Sequence, residues 1–260
     1  MDIYGYSHIH TRYTDGDLSL LEVKKLMLDY GASFMLITEH REHLNATTFK
    51  QLAVECHQLS DDDILIITGL EVAAGNNHIL ILGAEQFYEE NDIVDLLTRY
   101  KADGCPIIWA HPHRNKYKIE DNLLSLLDGI EIWNSAYDTK YCPRYSSLQY
   151  ARYNFKKDWL LLPALDFHRQ SHLPGPKIFL SVEKLRTEEV IRQIKLGQYK
   201  IGKKEGVNSK DCLTKRYYFY FYLSLLILMM FKFFKTTDSF LSALHIKVPV
   251  KIKNYLRRYI

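Results

Sequence analysis

The sequence has few of the residues that stabilise small secreted domains. Its 260 residues include four cysteines, Cys56, Cys105, Cys142 and Cys212, and no two of them have the CxxC spacing of a zinc knuckle. Their scattered positions also argue against a disulfide framework. The N-terminal segment lacks the basic region and apolar stretch of a signal peptide, so we expect the first domain to be cytoplasmic.

Charge is unevenly distributed along the chain. Residues 1–202 hold 22 lysines and arginines against 28 aspartates and glutamates, a net charge of −6, whereas residues 203–260 hold 12 against 3, a net charge of +9. Ten of the eleven histidines lie in the acidic part. An acidic, histidine-rich body suits divalent cations but lacks the basic groove that a polynucleotide needs, so a nucleic-acid partner is not favoured.

Apolar runs of strand length alternate with amphipathic helical stretches through residues 1–202. One helix is predicted over residues 19–30, where Ser19 and Glu22 form a capping box and Gly31 ends the helix; a second is predicted over residues 187–196. The eight predicted strands are 3–9, 34–38, 64–68, 78–82, 107–110, 129–133, 159–164 and 178–182.

This alternation predicts an α/β fold. A strand, a helix and a further strand in repetition indicate a parallel sheet, and seven or eight such units in about 200 residues favour a barrel over an open sheet. The polar, glycine-flanked segment 202–206 marks a boundary. We therefore predict a barrel domain over residues 1–202 and a basic, aromatic extension over residues 203–260.

Potential metal ligands accompany the predicted strands. His8 and His10 close the first strand, and alternate strand positions point to the same side, so both can bind one metal; Asp15 follows five residues later. A His-x-His pair alone is weak evidence for a metal site, but the later strands also begin or end at residues whose side chains can bind a metal. These residues are His40, Glu71, His78, His111, Asp166 and His168.

The ordered set of motifs resembles the polymerase and histidinol phosphatase (PHP) family over roughly residues 1–202. The resemblance implies a distorted seven-stranded (βα) barrel of the TIM type with two or three divalent ions, Zn²⁺, Mn²⁺ or Fe²⁺. By motif, the first metal is assigned His8, His10, Glu71 and Asp166. The second shares Glu71 and adds His78 and His111. The third is assigned Asp15, His40 and His168.

Two departures from the family pattern bear on function. Glu39 precedes His40 where the family more often has aspartate, which changes the residue that supports this ligand. The chain is also compact, without a large insertion between strands, so a substrate that is recognised through an inserted domain is not expected.

The resemblance implies a metal-dependent phosphoesterase in which metal-activated water attacks a phosphate monoester or diester of a small metabolite. Arg12, Arg114 and Arg169 lie close to ligands in the sequence and are candidate phosphate clamps. His113 is a candidate proton donor to the leaving group. Tyr137, Asp138 and Tyr141 follow a predicted strand and are candidate pocket residues. The alternatives are a nuclease or nucleotide phosphatase of the same family and a non-catalytic metal-binding regulatory module.

The extension contains fifteen consecutive residues without a formal charge, 217–231, flanked by basic residues. A membrane span needs about 20 apolar residues, so this segment is marginal as a crossing helix. The tyrosine cluster and the basic residues of 240–260 fit an in-plane interfacial segment. We expect association with the inner face of a membrane through residues 215–260, with packing on the barrel or on a second subunit as the alternative. The oligomeric state is not predicted.

Overall fold

The computed structural model describes residues 1–139, 141–154, 159–208 and 213–243. The chain divides into two compact units. The first comprises residues 1–138 and 143–211, and the second comprises residues 139–142 and 212–260. The predicted in-plane segment 240–260 lies outside the described residues from position 244 onward. The predicted division at residue 202 stays a prediction.

The first unit contains two six-stranded mixed sheets. The first sheet has the order β12-β11-β10-β1-β2-β4 and the second β3-β5-β6-β7-β8-β9. The strands of the first sheet are β1 (Asp2–Ile9), β2 (Phe34–Ile37), β4 (Leu65–Ile67), β10 (Lys177–Ser181), β11 (Tyr199–Gly202) and β12 (Val207–Asn208). Those of the second are β3 (Glu39–His40), β5 (Gly69–Ala74), β6 (Asn77–Leu82), β7 (Ile107–Ala110), β8 (Gly129–Asn134) and β9 (Leu160–Ala164).

Three strands without an exposed position lie in the core. Every residue of β2, β7 and β8 is buried. The residues of β2 and β7 are all apolar, as is typical of strands that are covered on both faces, whereas β8 also buries Glu131 and Asn134. Glycine permits a close approach between β8 and β9: a Cβ at Gly129 of β8 would lie 2.3 Å from the Leu160 carbonyl oxygen of β9.

The helices follow the local sequence signals. Ser19 accepts from the Glu22 backbone N–H, the Glu22 carboxylate accepts from the Ser19 backbone N–H, and Gly31 adopts a φ of 73° just beyond the helix, so the predicted capping box is confirmed. The helices of the first unit are α1 (Leu20–Asp29), α2 (Ala46–Leu59), α3 (Ile93–Ala102), α4 (Asp121–Leu124), α5 (Tyr145–Asn154) and α6 (Thr187–Lys195).

The α/β class and all eight predicted strands are confirmed, but the expectation of a parallel sheet is wrong. β6 runs antiparallel to both β5 and β7, because residues 75–76 form a tight hairpin turn with Gly75 at a φ of 62°. β10 is likewise antiparallel to β1. Within the described residues the two sheets keep separate edges and no closed ladder is found, so the barrel is not confirmed.

The two sheets meet at one end of β1. The chain passes from the first sheet to the second at Thr38, between β2 and β3. The Thr38 N–H donates to the Ile9 carbonyl oxygen at 2.9 Å, and Ile9 and Phe167 form a parallel bridge between β1 and the segment after β9. The end of β1, the start of β3 and the segment after β9 are thereby brought to one location.

The second unit contains a single long helix among its described residues, α7 (Lys215–Ala243). Phe219, Tyr222, Leu226 and Met229 recur at spacings of three and four residues, and their side chains are exposed. Within the described part of the chain, no helix is long and apolar enough to cross a membrane.

Candidate metal centre

Eight of the nine predicted ligands lie on or next to six strands of the first unit, and Asp15 lies in the loop after β1. His8 and His10 lie at the end of β1, His40 ends β3, and His111 follows β7, while Asp166 and His168 follow β9. Glu71 was predicted to follow a strand, but it is the third residue of β5 and pairs with His40 across β3 and β5. His78 reaches the same location because β6 is antiparallel, so its first residues lie beside the last residues of β5 and β7.

These residues form four overlapping groups whose ligand atoms lie within 4.8 Å of one another in each group. Together the groups contain all nine predicted ligands. The groups are His10, Asp15, His40 and His168; His8, His10 and Asp166; His8, Glu71 and His111; and His40, Glu71 and His78. The assignment of these residues to three individual metals stays a prediction.

Glu71 is the centre of the cluster, and its two carboxylate oxygens face different histidines. Oε2 lies 3.3 Å from His8 Nε2 and 3.2 Å from His10 Nε2. Oε1 accepts hydrogen bonds from His78 Nδ1 at 2.8 Å and from His111 Nε2 at 3.1 Å. A carboxylate in this position can bridge two ions, one on each side.

Asp15 organises a shallower part of the cluster. Its Oδ2 atom lies 3.5 Å from His40 Nε2 and 3.3 Å from His168 Nε2, and its Oδ1 atom lies 3.8 Å from His10 Nδ1. The Asp15 side chain is 42% exposed, whereas that of His10 is 0% exposed. The cluster therefore extends from the buried end of β1 to the solvent, which gives a substrate a route to it.

The donor atoms fit divalent metal ions. Two ligands at about 2.1 Å from a tetrahedral ion are separated by about 3.4 Å, and several pairs in the cluster lie near this separation. Three buried ring nitrogens, His8 Nε2, His10 Nδ1 and His10 Nε2, have no hydrogen-bond partner. A buried nitrogen without a partner is unfavourable in a protein, and metal coordination supplies that partner. Imidazole and carboxylate together suit Zn²⁺, Mn²⁺ and Fe²⁺.

The charges of the cluster are strongly coupled. Burial lowers the pKa of His8, but the carboxylates of Glu131, Asp166 and Glu71 outweigh it and hold that pKa well above its ordinary value. For His10, burial prevails and lowers the pKa to about 4. Burial opposes the ionisation of Glu71, yet the surrounding imidazoles, His8 foremost, hold its pKa well below the ordinary value. The Glu71 carboxylate is therefore ionised, as a metal ligand must be.

Three ligands have backbones in a region that residues other than glycine seldom adopt. The φ angles are 61° at His8, 28° at His111 and 51° at Asp166. The bend at His8 also interrupts the register between β1 and β2, so His8 and His10 do not follow simple strand alternation. Such conformations cost about 1–3 kcal/mol each and persist where surrounding contacts enforce them.

Glu39 supports the loop between His10 and Asp15. Its buried carboxylate accepts hydrogen bonds from the backbone N–H of Thr11 at 2.8 Å and from the hydroxyls of Thr11 and Thr14. Burial raises the pKa of Glu39 to about 7. The departure from aspartate at this position thus provides an anchor for the loop that carries Asp15.

The predicted phosphate clamps differ in their surroundings. Arg12 donates to the Asp17 carbonyl oxygen and pairs with Glu22, so it is engaged at the start of α1. Arg169 donates to His172 Nε2 at 3.2 Å. Arg114 is exposed and lies over the Tyr137 ring, 5.0 Å from its centroid.

Tyr137 and His113 border the metal ligands. The Tyr137 ring packs edge-on against the rings of His111 and His113, with centroid separations of 5.7 and 5.6 Å. Burial, with the neighbouring Arg144, lowers the pKa of His113 to about 4. The His113 ring is therefore neutral near pH 7, and its role as proton donor stays a prediction.

The structure was compared with known proteins. No family model and no curated protein matches the sequence. A two-domain protein from Bacteroides vulgatus that contains a predicted PHP-like metal-dependent phosphoesterase has a similar structure, with a TM-score of 0.58, 16% identity and coverage of 78% of this chain and 65% of that one. The lesion-specific endonuclease EndoQ of Pyrococcus furiosus has a TM-score of 0.52 and 18% identity, over 77% of this chain and 58% of that one.

The chain therefore has the fold of the PHP-like metal-dependent phosphoesterases, and the predicted resemblance is confirmed at the level of the fold. It spans less than two thirds of the length of each of these two structures.

Proposed function

We propose that the protein is a metal-dependent hydrolase of phosphate esters. The observation that carries this proposal is the convergence of nine imidazole and carboxylate side chains, the buried Glu71 among them, in one cluster. Divalent ions in such a site activate water as the nucleophile and stabilise charge on the phosphate oxygens. A nucleophilic side chain of the protein is not required.

The residues of the chain bind and orient the ester. Arg114 has its guanidinium exposed beside Tyr137, next to the ligand His111, and can hold two phosphate oxygens at once. Arg12 and Arg169 have partners within the protein, so Arg114 is the preferred clamp. The neutral His113 ring can orient a water molecule by accepting a hydrogen bond from it.

We favour a small phosphorylated metabolite as the substrate, because the net charge of residues 1–202 is −6 and a polynucleotide is repelled by such a surface. A nuclease is the second candidate. It is favoured by the structural similarity to EndoQ, a lesion-specific endonuclease.

The test uses the full-length chain. Bound metals are counted by elemental analysis, and hydrolysis of an aryl phosphate monoester, an aryl diester and a short DNA is measured with Mn²⁺ or Zn²⁺. We expect two or three ions per chain and ester hydrolysis that is lost in Asp166→Ala and His168→Ala. His57→Ala, which changes an exposed histidine of α2, is the control and should retain activity.

Each outcome separates the candidates. Hydrolysis of DNA in preference to the small esters would replace the metabolite with a nucleic-acid substrate. A protein that binds metal but hydrolyses none of the three would favour the non-catalytic metal-binding module and contradict the proposal.

For the second unit we propose contact with an anionic membrane surface. The exposed apolar side chains of Phe219, Tyr222, Leu226 and Met229 lie on a helix that begins with two basic residues and has no acidic residue before Asp238. The full-length protein should float with vesicles that contain phosphatidylserine and less with pure phosphatidylcholine, and a Lys215→Glu, Arg216→Glu variant should float less. Equal recovery with both vesicles, or none with either, would contradict this proposal.

A further inference from the structure

Two of the three ligands with unusual backbone angles are held by one buried side chain that is not itself a member of the metal cluster. Glu131 lies in the middle of β8 and is 2% exposed. Its Oε1 atom accepts a hydrogen bond from His8 Nδ1 at 2.6 Å. Its Oε2 atom accepts one from the backbone N–H of His111 at 2.7 Å. One carboxylate therefore fixes the ring of one ligand and the main chain of another.

Asn134, three residues further along β8, extends this contact to a third ligand. Its side-chain Nδ2 donates to Glu131 Oε2 at 3.1 Å and lies 3.4 Å from Asp166 Oδ2. Its Oδ1 atom accepts from the Ala136 backbone N–H at 2.9 Å, which fixes the orientation of the amide. The amide N–H groups must then face the two carboxylates.

The hydrogen bond to Glu131 also selects the tautomer of His8. A carboxylate at 2.6 Å from Nδ1 requires a proton on that nitrogen. In the neutral ring the lone pair is then on Nε2, which faces Glu71 and Asp166 at 3.3 and 3.6 Å and has no hydrogen-bond partner. A metal-binding histidine commonly has its second nitrogen held in this way.

We infer that Glu131 and Asn134 are a positioning pair that holds His8, His111 and Asp166 ready for metal, without binding the metal themselves. This inference rests on the proposed metal centre. Removal of Glu131 leaves the His8 ring without its acceptor and the His111 N–H without a partner, so the ligands can relax away from their constrained backbones. Metal affinity should fall while the protein stays folded.

The test measures metal affinity directly in the full-length protein, by competition with a chelating dye for Mn²⁺ and Zn²⁺. Glu131→Ala should bind the tightest metal roughly 10- to 100-fold more weakly than the unchanged protein. Glu131→Gln keeps one carbonyl oxygen for His8 Nδ1–H and should recover part of the loss. Asn134→Ala should weaken binding by a smaller factor.

Asp128→Asn is the matched control. Asp128 precedes β8, and its carboxylate accepts a hydrogen bond from the backbone N–H of Ile107 at the start of β7. Glu131 makes the corresponding contact with the backbone N–H of His111, just after the end of β7. Asp128→Asn should change thermal stability of the metal-free protein but not its metal affinity. If Glu131 has a merely structural role, metal affinity should fall in proportion to stability in both Glu131→Ala and Asp128→Asn. Glu131→Gln should then recover none of the lost affinity.

A folded Glu131→Ala that binds metal with unchanged affinity would overturn the positioning role. If Glu131→Ala does not fold, Glu131→Gln and Asn134→Ala carry the same test. Tight metal binding by the unchanged protein without hydrolysis of any ester would instead overturn the proposed function, and would leave the comparison of affinities valid.

Discussion

Glu39 should make the stability of the metal-free protein depend on pH. Its side chain is 0% exposed, and burial raises its pKa from an ordinary value of 4.5 to about 7. The folded state therefore holds this proton more tightly than the unfolded state does. It follows that the free energy of unfolding decreases as the pH rises from about 4.5 to about 7, and this contribution is constant above that range.

The magnitude follows from the displacement of the pKa. At about 1.36 kcal/mol per pH unit, a change from 4.5 to about 7 corresponds to about 3 kcal/mol. Full burial of the side chain means that no reduction for solvent screening is needed. This loss of stability is absent below pH 4.5, where the Glu39 carboxyl group is protonated in both the folded and the unfolded state.

Glu39→Gln isolates this contribution because glutamine imitates the protonated carboxyl group. Its amide oxygen can accept from the Thr11 N–H, and its NH₂ group can donate to the Thr14 hydroxyl. We expect the unchanged protein and Glu39→Gln to have similar stability at pH 4.5. At pH 8, the free energy of unfolding of Glu39→Gln should exceed that of the unchanged protein by about 3 kcal/mol more than it does at pH 4.5.

The assay is urea unfolding in the presence of EDTA, followed by circular dichroism at a series of pH values. Glu89→Gln, which changes an exposed carboxylate, is the control and should leave the pH dependence as in the unchanged protein. Parallel stability profiles for the unchanged protein and Glu39→Gln would refute the reasoning, because they would mean that burial of Glu39 does not favour its protonated form.

Three further predictions concern packing, metal and substrate. Gly129→Ala places a Cβ 2.3 Å from the Leu160 carbonyl oxygen and should cost about 1–3 kcal/mol in urea unfolding; an unchanged midpoint would contradict the close approach of β8 and β9. Removal of metal with EDTA should lower the melting temperature, and Mn²⁺ at 100 times its dissociation constant should restore about 2.7 kcal/mol; a melting temperature independent of Mn²⁺ would oppose a metal centre. Arg114→Ala should raise KM for a phosphate ester about tenfold while Arg12→Ala does not, and equal effects would remove Arg114 as the preferred clamp.

The sequence by itself predicted the elements whose signals are local. Apolar runs located the strands because buried strands must exclude water along their whole length, and the Ser19 and Glu22 pair located the start of α1 because capping involves residues only three positions apart. The types and order of the potential metal ligands could also be predicted, since all of them except Asp15 follow or open an apolar run.

Which residues meet, and how they are held, depends on contacts between distant segments of the chain. His78 joins the cluster because β6 reverses direction, and strand direction leaves no trace in an apolar run. Glu131 was not singled out, because a glutamate inside a buried strand has no sequence pattern that indicates its partners 123 residues away at His8 and 20 residues away at His111. Periodicity reports which face of an element is buried, whereas the contacts of a buried polar group depend on how distant segments pack together.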